Sequence, residues 1–261
     1  MWGHATGCRI AMRLIITGAA GLIGSGMVKE LSPAHDLRLL DRTVIHDRRS
    51  LIADLARDCR RIRLSLRSGF GRASWTETFD GAAGVLHLAA DRRVTAPWPA
   101  VLRDNVHATW NVIQAAVRHR VPRVVYASSH WAVKAIEREL APRCYAPDGP
   151  KITSDMPPRP VTAYGISKAM GEIAGRCAVD EGELRSFVAV RIGAYPGRPP
   201  VGDDQARLWV GAHDLRSLLR SCLETPFEGF HVVYGVSAQL SAPFDLSHAR
   251  HLLAWSPSQL P

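Results

Sequence analysis

A glycine-rich turn between a strand and a helix constrains this chain more than any other feature. Gly18, Gly21 and Gly24 follow an apolar run at Arg13–Thr17 and open a helical pattern at Leu22–Leu31. In such a turn the first glycine permits a tight bend, the second lets the backbone approach a pyrophosphate, and the third lets helix and strand pack closely. The free N–H groups at the start of the helix favour a phosphate. This context predicts a dinucleotide-binding turn.

Strand-like apolar runs alternate with helical patterns along most of the chain. Such alternation predicts an α/β fold in which a doubly wound parallel sheet, of the Rossmann type, carries helices on both faces. The apolar fraction of 46% suffices for a sizeable core. Strands are predicted at 13–17, 37–41, 61–66, 84–89, 123–129, 187–192 and 230–236, and helices at 22–31, 47–59, 98–118, 162–179 and 213–223.

The length of 261 residues suits one such domain. We expect this domain to span residues 12–261, after a disordered leader at residues 1–11. The segment from residue 196 onward departs from the regular alternation of strands and helices, so residues 196–261 are expected to contribute a small lobe that covers the substrate. Residues 141–160 hold six prolines, which indicates a long loop that lines a site, with disorder as the alternative.

Asp41 ends the second predicted strand, 20 residues after Gly21. A carboxylate at this point can accept hydrogen bonds from the ribose hydroxyls of an adenosine and would repel a 2′-phosphate. The sequence therefore predicts NAD rather than NADP as the cofactor. Arg42 is an opposing signal, because an arginine nearby can accommodate that phosphate.

A tyrosine and a lysine stand four residues apart within a predicted helix, at Tyr164 and Lys168. Residues at this spacing share one face of a helix. A nearby cation favours the phenolate, so we expect Lys168 to lower the pKa of Tyr164, which could then move a proton while a hydride is transferred. Ser129 ends the fifth predicted strand, where ligands meet open α/β sheets, and its hydroxyl can hold the reacting oxygen. These three residues form the predicted catalytic centre.

The net charge is +9, but the 33 lysines and arginines are spread along the chain. A nucleic-acid site usually shows a clustered basic patch, so we predict an anionic small molecule and no nucleic-acid partner. No apolar run reaches the roughly 18 residues of a membrane span. The five cysteines form no metal-binding pair and no secretory framework. These features predict a cytoplasmic protein without a metal site or a membrane anchor.

Several motifs resemble those of the extended short-chain dehydrogenases, a family that includes NDP-sugar epimerases and dehydratases. They lie at residues 17–24, 87–90, 105–106 with 111–112, 126–129, 164–168 and 191–193. Within this family the chain is most similar to the uronate dehydrogenases, over nearly its whole length from Met12. The resemblance implies NAD-dependent redox chemistry on a sugar-like substrate.

The resemblance also implies which residues border the cofactor and the substrate. Beyond Gly18, Gly21, Gly24 and Asp41, cofactor contacts are implied at Leu22, Ile23, Leu88, Ala89, Ala90, Asn105, Tyr164, Lys168 and Ile192. The substrate positions depart from the family, because His130-Trp131 replaces Asn-His after the serine pair and Ala194 replaces a serine. Arg92 stands where a small polar residue is usual. The arginine that binds the uronate carboxylate in the family has no clear counterpart, and Arg198 and Arg207 lie near its expected place. Substrate candidates are therefore Arg92, Ser129, His130, Trp131, Ala194 and Arg198.

The predicted function is hydride transfer between NAD and a hydroxyl-bearing carbon of a sugar-like substrate, with uronates and other acidic sugars included. Tyr164 would be the acid/base, Lys168 would tune it and hold the nicotinamide ribose, and Ser129 would orient the oxygen. Two alternatives stay open: an NDP-sugar epimerase that recycles its NAD internally, and an NAD-sensing protein without turnover. By analogy with related folds, the helices at 98–118 and 162–179 pair across a two-fold axis, which predicts a homodimer.

Overall fold

The computed structural model describes residues 11–41, 60–63, 74–200, 202 and 206–260, with only the backbone described for residues 60–63. The helix expected at 47–59, Arg42 and residues 1–10 of the expected leader lie outside these ranges. The predictions made for them stay predictions.

The described residues contain seven parallel strands that form one sheet, in the order β3-β2-β1-β4-β5-β6-β7. The strands are β1 Arg13–Thr17, β2 Asp36–Asp41, β3 Arg60–Arg63, β4 Gly84–His87, β5 Arg123–Ser129, β6 Ser186–Ile192 and β7 Gly229–Gly235. The chain runs outward from β1 to β3 and then returns to the other side of β1 at β4. The strand order therefore reverses between β1 and β4, and open α/β sheets bind ligands at such a crevice. The predicted doubly wound sheet is confirmed.

The helices cover both faces of this sheet. Within the described ranges they are α1 Leu22–Leu31, α2 Trp98–Val101, α3 Ala108–Arg118, α4 Lys134–Leu140, α5 Ala163–Asp180, α6 Ala212–Glu224 and α7 Ser247–Leu253. Successive side chains of a strand point to opposite faces. Leu14 and Ile16 of β1 accordingly pack with α1, α6 and α7, whereas Ile15 packs with α3 and α5. Both faces of the sheet are buried, as a parallel sheet requires.

A third, smaller apolar cluster lies beside the sheet. It consists of Val133, Ile136, Ile152, Tyr234, Val236, Ala242 and Phe244. A β-bridge pairs Ile152 with Phe244. Lys151 donates hydrogen bonds to the carbonyls of Cys144, Ala146 and Ala242 at 2.8–3.0 Å. The proline-rich stretch is thus anchored to the C-terminal part of the chain. We call these two segments, residues 133–156 and 234–246, the small lobe.

The observed elements differ from the predicted ones in a few places. The helix predicted at 98–118 is present as α2, a π-helical turn at Leu102–His107 and α3. The strand predicted at 84–89 ends at His87, because the N–H groups of the next two residues turn to the side chain of Thr17. The helices α4 and α7 were not predicted, since seven residues show too little periodicity to identify a helix.

Candidate functional site

The glycine turn forms a cradle that side chains would fill. Gly18 has a φ of +70°, a left-handed conformation that favours glycine. A Cβ atom at Gly18 would lie 2.7 Å from the backbone nitrogen of Ala89, and one at Gly24 would lie 2.2 Å from the carbonyl oxygen of Gly18. Gly21 donates its N–H to the same oxygen at 3.0 Å. The turn therefore presents bare backbone at the start of α1, which fits a pyrophosphate.

Asp41 lies at the carboxyl end of β2, directly beside the glycine turn. Its Oδ2 accepts a hydrogen bond from the N–H of Ala20 at 2.9 Å. The N–H of Gly18 donates to the carbonyl of Leu40 at 2.8 Å. These contacts fix the carboxylate beside the glycine turn, and its predicted contact with the adenosine ribose stays a prediction.

The end of β4 is attached to β1 by a buried polar cluster. Thr17 Oγ1 accepts hydrogen bonds from the N–H groups of Leu88 and Ala89, both at 3.2 Å. The ring nitrogens of His87 contact the hydroxyls of Thr17 at 2.6 Å and Thr109 at 3.0 Å. Burial lowers the pKa of His87 to about 3. His87 is therefore a neutral core residue that fixes the chain leaving β4 at the crevice.

We expect the fold to lose stability in mild acid, because His87 must stay neutral. The unfolded chain takes up this proton near a pKa of 6.5, whereas the folded chain does so only near 3, so stability rises with pH between these values. Between pH 7 and pH 5 the wild type should lose about 2 kcal/mol more than His87→Gln. Urea unfolding at both pH values measures the difference, and equal losses in the two proteins would contradict this account.

Asn105 is buried in the π-helical turn at Leu102–His107. Its Oδ1 accepts the N–H of Asp91 at 2.7 Å, while its Nδ2 donates to the carbonyl of Asp91 at 3.1 Å and to the hydroxyl of Ser167 at 3.0 Å. Both amide hydrogens are thereby used within the protein. Asn105 ties the loop after β4 to α5, and its predicted place beside the cofactor stays a prediction.

Two turns that carry candidate residues pack against each other at the carboxyl end of β5. Ser129 ends β5 and is followed by a short helical turn, while Thr162 caps α5 by accepting the N–H of Gly165 at 3.1 Å. A Cβ atom at Gly165 would lie 2.5 Å from the carbonyl oxygen of Trp131. The glycine after Tyr164 therefore lets the start of α5 approach the turn that follows Ser129.

The structure brings Ser129, Tyr164 and Lys168 together. The side chain of Ser129 lies close enough to Tyr164 to lower the pKa of its phenol. Lys168 is buried, donates from Nζ to the carbonyl of Ala127 at 2.7 Å, and lies 5.7 Å from the centroid of the Tyr164 ring. This arrangement offers a proton-transfer group, a hydroxyl and a cation within one site.

The pKa of Tyr164 differs from the sequence-based expectation. Burial raises it, a hydrogen bond from Ser129 lowers it, and the charge of Asp91 raises it further. Lys168 was expected to lower this pKa, but it is not among the groups that shift it: its Nζ lies over the ring and donates to the carbonyl of Ala127. The lowering contribution from the protein therefore comes from Ser129. Burial lowers the pKa of Lys168 itself to about 8.

His130 and Trp131 directly follow Ser129, beside the cluster of Ser129, Tyr164 and Lys168. His130 is buried, its ring lies 5.4 Å from that of Trp131, and burial lowers its pKa. Behind it, Glu137 Oε2 lies 3.7 Å from His130 Nδ1, and Glu137 Oε1 accepts hydrogen bonds from Lys134 at 2.6 Å and Tyr145 at 2.9 Å. Sequence reasoning missed these supporting residues, although the three-residue spacing of Lys134 and Glu137 is a helical signal.

The other substrate candidates lie farther out. Arg92 and Arg198 are exposed. The carbonyl of Arg198 accepts the indole N–H of Trp209 at 3.0 Å. Ala194 is partly buried and forms a β-bridge with Trp209. A role for these residues in substrate binding stays a prediction.

The described residues contain no group of three or more His, Cys, Asp or Glu side chains arranged to hold a metal ion. None of the helices in the same ranges combines the length and the apolar character needed to cross a membrane.

The chain is similar to known proteins in sequence and in fold. The NAD-dependent glucose-6-phosphate dehydrogenase of Haloferax volcanii is 32% identical over 253 residues, which cover 94% of this chain and 92% of that protein. A uronate dehydrogenase of Agrobacterium fabrum is 30% identical and covers 94% of this chain and 84% of the relative. The crystal structure of uronate dehydrogenase from Agrobacterium tumefaciens superposes with a TM-score of 0.76 at 28% identity, covering 96% of this chain and 85% of that structure.

One family profile spans most of the chain. The profile of the NAD dependent epimerase/dehydratase family matches residues 14–207. That range includes the glycine turn and the cluster of Ser129, Tyr164 and Lys168. The chain belongs to the NAD dependent epimerase/dehydratase family.

Proposed function

We propose that the chain is an NAD-dependent dehydrogenase that transfers a hydride between NAD and a hydroxyl-bearing carbon of a sugar-like substrate. The observation that carries this proposal is the cluster of Ser129, Tyr164 and Lys168 at the carboxyl end of β5. This cluster and the glycine turn share one edge of the parallel sheet, as a cofactor that reaches from one to the other requires. Membership of the family supports NAD as that cofactor.

The chain offers a group for each part of NAD. The bare backbone of the glycine turn would hold the pyrophosphate, Asp41 the adenosine ribose, and Lys168 the nicotinamide ribose. The proposed borders of the cofactor are Gly18, Gly21, Leu22, Ile23, Gly24, Leu88, Ala89, Ala90, Asn105 and Ile192. When bound, NAD supplies the hydride acceptor.

The cluster of Ser129, Tyr164 and Lys168 accounts for the proton that leaves the substrate hydroxyl when the hydride is transferred. Ser129 would hold the substrate hydroxyl beside Tyr164. The phenolic oxygen would accept the hydroxyl proton as the carbon gives up its hydride, and it would return the proton in the reverse reaction. Because burial raises the pKa of Tyr164, the phenol is the favoured form without the cofactor, and the positive charge of an oxidised nicotinamide would favour the phenolate when NAD is bound.

We propose an acidic sugar as the substrate class, with His130 and Trp131 as its nearest candidate contacts. The net charge of +9 favours an anion. The named relatives act on glucose 6-phosphate and on uronates, which both carry a negative charge. His130 and Trp131 follow Ser129 directly, so a sugar held by Ser129 would meet these two rings.

A substrate screen tests the proposed function. Glucose 6-phosphate, glucuronate, galacturonate, arabinose, glucose and a nucleotide sugar would each be incubated with NAD. NADH formation would be followed by absorbance, and conversion of the sugar by chromatography. Steady NADH formation with at least one acidic sugar is expected. Turnover of a nucleotide sugar without net NADH would favour an epimerase instead, and NAD binding without turnover of any compound would favour a sensor.

We further propose a reduced, cytoplasmic setting and a small-molecule partner rather than a nucleic acid. Cys144, Cys177 and Cys222 are free thiols. The spread of the basic residues along the chain supports the absence of a nucleic-acid site.

NAD should bind at least about tenfold more tightly than NADP, because Asp41 would repel the 2′-phosphate. A tenfold ratio of dissociation constants corresponds to a difference of about 1.4 kcal/mol in the free energy of binding. Asp41→Asn should narrow this preference while keeping an acceptor for the N–H of Ala20. Calorimetric titration with both cofactors measures it. Asp36→Asn is the matched control, since Asp36 starts the same strand and pairs with Arg13 at its far end. Tighter binding of NADP to the wild type would refute the role of Asp41.

We expect a homodimer formed through α3 and α5. Ile166, Met170 and Ile173 form an exposed apolar stripe along α5, and Trp110 on α3 is 51% exposed. Ile173→Arg should weaken the dimer at least about tenfold, because it places a charge within an apolar interface. Sedimentation at micromolar concentration measures the change, with Leu240→Arg, an exposed leucine outside these helices, as control. A monomeric wild type would contradict this expectation.

A further inference from the structure

The proposed chemistry leaves one buried ion pair unused. Glu172 lies on α5 one helical turn after Lys168 and is 3% exposed. Its Oε2 accepts a hydrogen bond from Nη2 of Arg191 at 2.9 Å, and its Oε1 accepts one from Nε of Arg191 at 3.1 Å. Oε1 also accepts the hydroxyl of Ser128. Three hydrogen bonds therefore fix the carboxylate in one position.

Arg191 extends this contact across the sheet. Ser128, Arg191 and Tyr234 are neighbours in register on β5, β6 and β7. Arg191 is 1% exposed and donates from Nη1 to the hydroxyl of Tyr234 at 2.9 Å and to the carbonyl of Met156 at 3.3 Å. This row lies one residue before the strand ends that carry Ser129 and the candidate cofactor contact on β6. The pair thus joins α5 to the edge of the sheet where the site lies.

Lys168 is a second buried cation near this pair, and its direct contacts are uncharged. They are the carbonyl of Ala127 and the rings of Tyr126 and Tyr164. A buried lysine loses its proton easily unless an opposite charge lies near. Burial lowers the pKa of Lys168 to about 8, and the charge of Glu172 opposes that effect.

The titratable groups around Lys168 and Tyr164 come from several elements. They are Glu172 on α5, His87 on β4, Tyr126 on β5, Arg191 on β6, Tyr234 on β7 and Asp91 in the loop after β4. His87 is neutral at physiological pH, and Asp91 pairs with Arg93. Glu172 is the carboxylate that lies one helical turn from the lysine.

We propose that Glu172 is a positioning residue for the reaction: Arg191 and Ser128 lock its carboxylate one turn from Lys168, and its charge keeps that lysine a cation. The inference deepens the proposed dehydrogenase function and depends on it for the role of Lys168. Glu172 touches neither substrate nor cofactor and acts through the lysine.

The charge of Lys168 can be measured without any substrate. The chain has four lysines, Lys29, Lys134, Lys151 and Lys168, so ¹³C-labelled lysine gives four Cε signals that Lys→Arg variants assign. In Glu172→Gln the titration midpoint of Lys168 should fall by about one pH unit, which corresponds to a roughly tenfold larger proton dissociation constant. A midpoint within about 0.2 units of the wild type, far below that shift, would overturn the proposal.

Matched variants separate charge from packing. Glu172→Asp keeps the charge and should retain most of the wild-type midpoint, and Glu181→Gln, at the exposed end of α5, should leave it unchanged. If Glu172→Gln does not fold, Glu172→Gln/Arg191→Met removes both buried charges. The midpoint in that double variant should lie below the midpoint in Arg191→Met, which lacks the same arginine but keeps the carboxylate.

The pH dependence of the reaction then tests whether the charge of Lys168 matters for turnover. On a confirmed substrate, the alkaline limb of the pH profile of kcat/KM should shift to lower pH in Glu172→Gln, by as much as the Lys168 midpoint does. No turnover by the wild type on any substrate would refute the proposed function and leave the titration result standing. An unshifted lysine in an active enzyme would refute the role of Glu172 alone.

Discussion

Replacing Tyr164 with phenylalanine should reduce kcat by about 10²–10⁴-fold and leave the affinity for NAD almost unchanged. The substitution removes only the phenolic oxygen, so the ring still packs and the proposed cofactor contacts of Asp41 and Lys168 remain. The expected pattern is the loss of an interaction made in the transition state. Steady-state NADH formation gives kcat, and fluorescence titration with NADH gives the affinity.

Lys168→Ala is the informative comparison for this variant. It should reduce both turnover and cofactor affinity, because it removes the proposed ribose contact together with the buried cation that lies over the Tyr164 ring. If Tyr164→Phe keeps near-full activity on a confirmed substrate, Tyr164 is not the acid/base. The assignment would then depend on the glycine turn, which serves an enzyme and a sensor equally well.

Replacing Arg191 with methionine should lower the free energy of unfolding by about 3–5 kcal/mol, because it leaves the buried carboxylate of Glu172 without its charged partner. The double variant Glu172→Gln/Arg191→Met should recover much of this loss, since it removes both charges. Urea unfolding of the two variants and the wild type measures the coupling between the residues.

An exposed ion pair provides the control. Arg185 pairs with Glu228, and both side chains are about two-thirds exposed. Arg185→Met should therefore change the free energy of unfolding by less than about 1 kcal/mol. A loss in Arg191→Met as small as this would show that the buried pair does not hold α5 on the sheet.

The sequence allowed prediction of those features that depend on local patterns. Continuous apolar runs identified the strands, and the spacing of Gly18, Gly21 and Gly24 identified the turn after β1. The helix spacing of Tyr164 and Lys168 placed both on one face, and the strand end placed Ser129 beside them. In each case a few neighbouring residues carry the whole signal, so no tertiary contact had to be known.

Features that depend on contacts between distant segments were not predicted. The pairing of Glu172 with Arg191 joins a helix to a strand across a loop, and neither residue alone indicates it. The pKa of Tyr164 follows from burial and from the hydrogen bond of Ser129, which spacing does not reveal. The apolar cluster of the small lobe likewise joins Ile152 to Phe244, which lie far apart in the sequence.

The anchoring of the small lobe has a consequence for substrate entry and product release. Lys151 bridges three carbonyls of this lobe, and Tyr234, which packs in it, is bonded to Arg191 in the sheet. Separating the two segments of the lobe would break the hydrogen bond from Lys151 to the carbonyl of Ala242, and moving residues 133–156 off the sheet would break the bond from Arg191 to the carbonyl of Met156. Each such bond contributes about 1 kcal/mol. An open conformer would therefore be rarely populated. We therefore expect substrate and product to exchange without a slow opening of this lobe, so that a turnover limited by exchange follows solvent viscosity rather than a gating step.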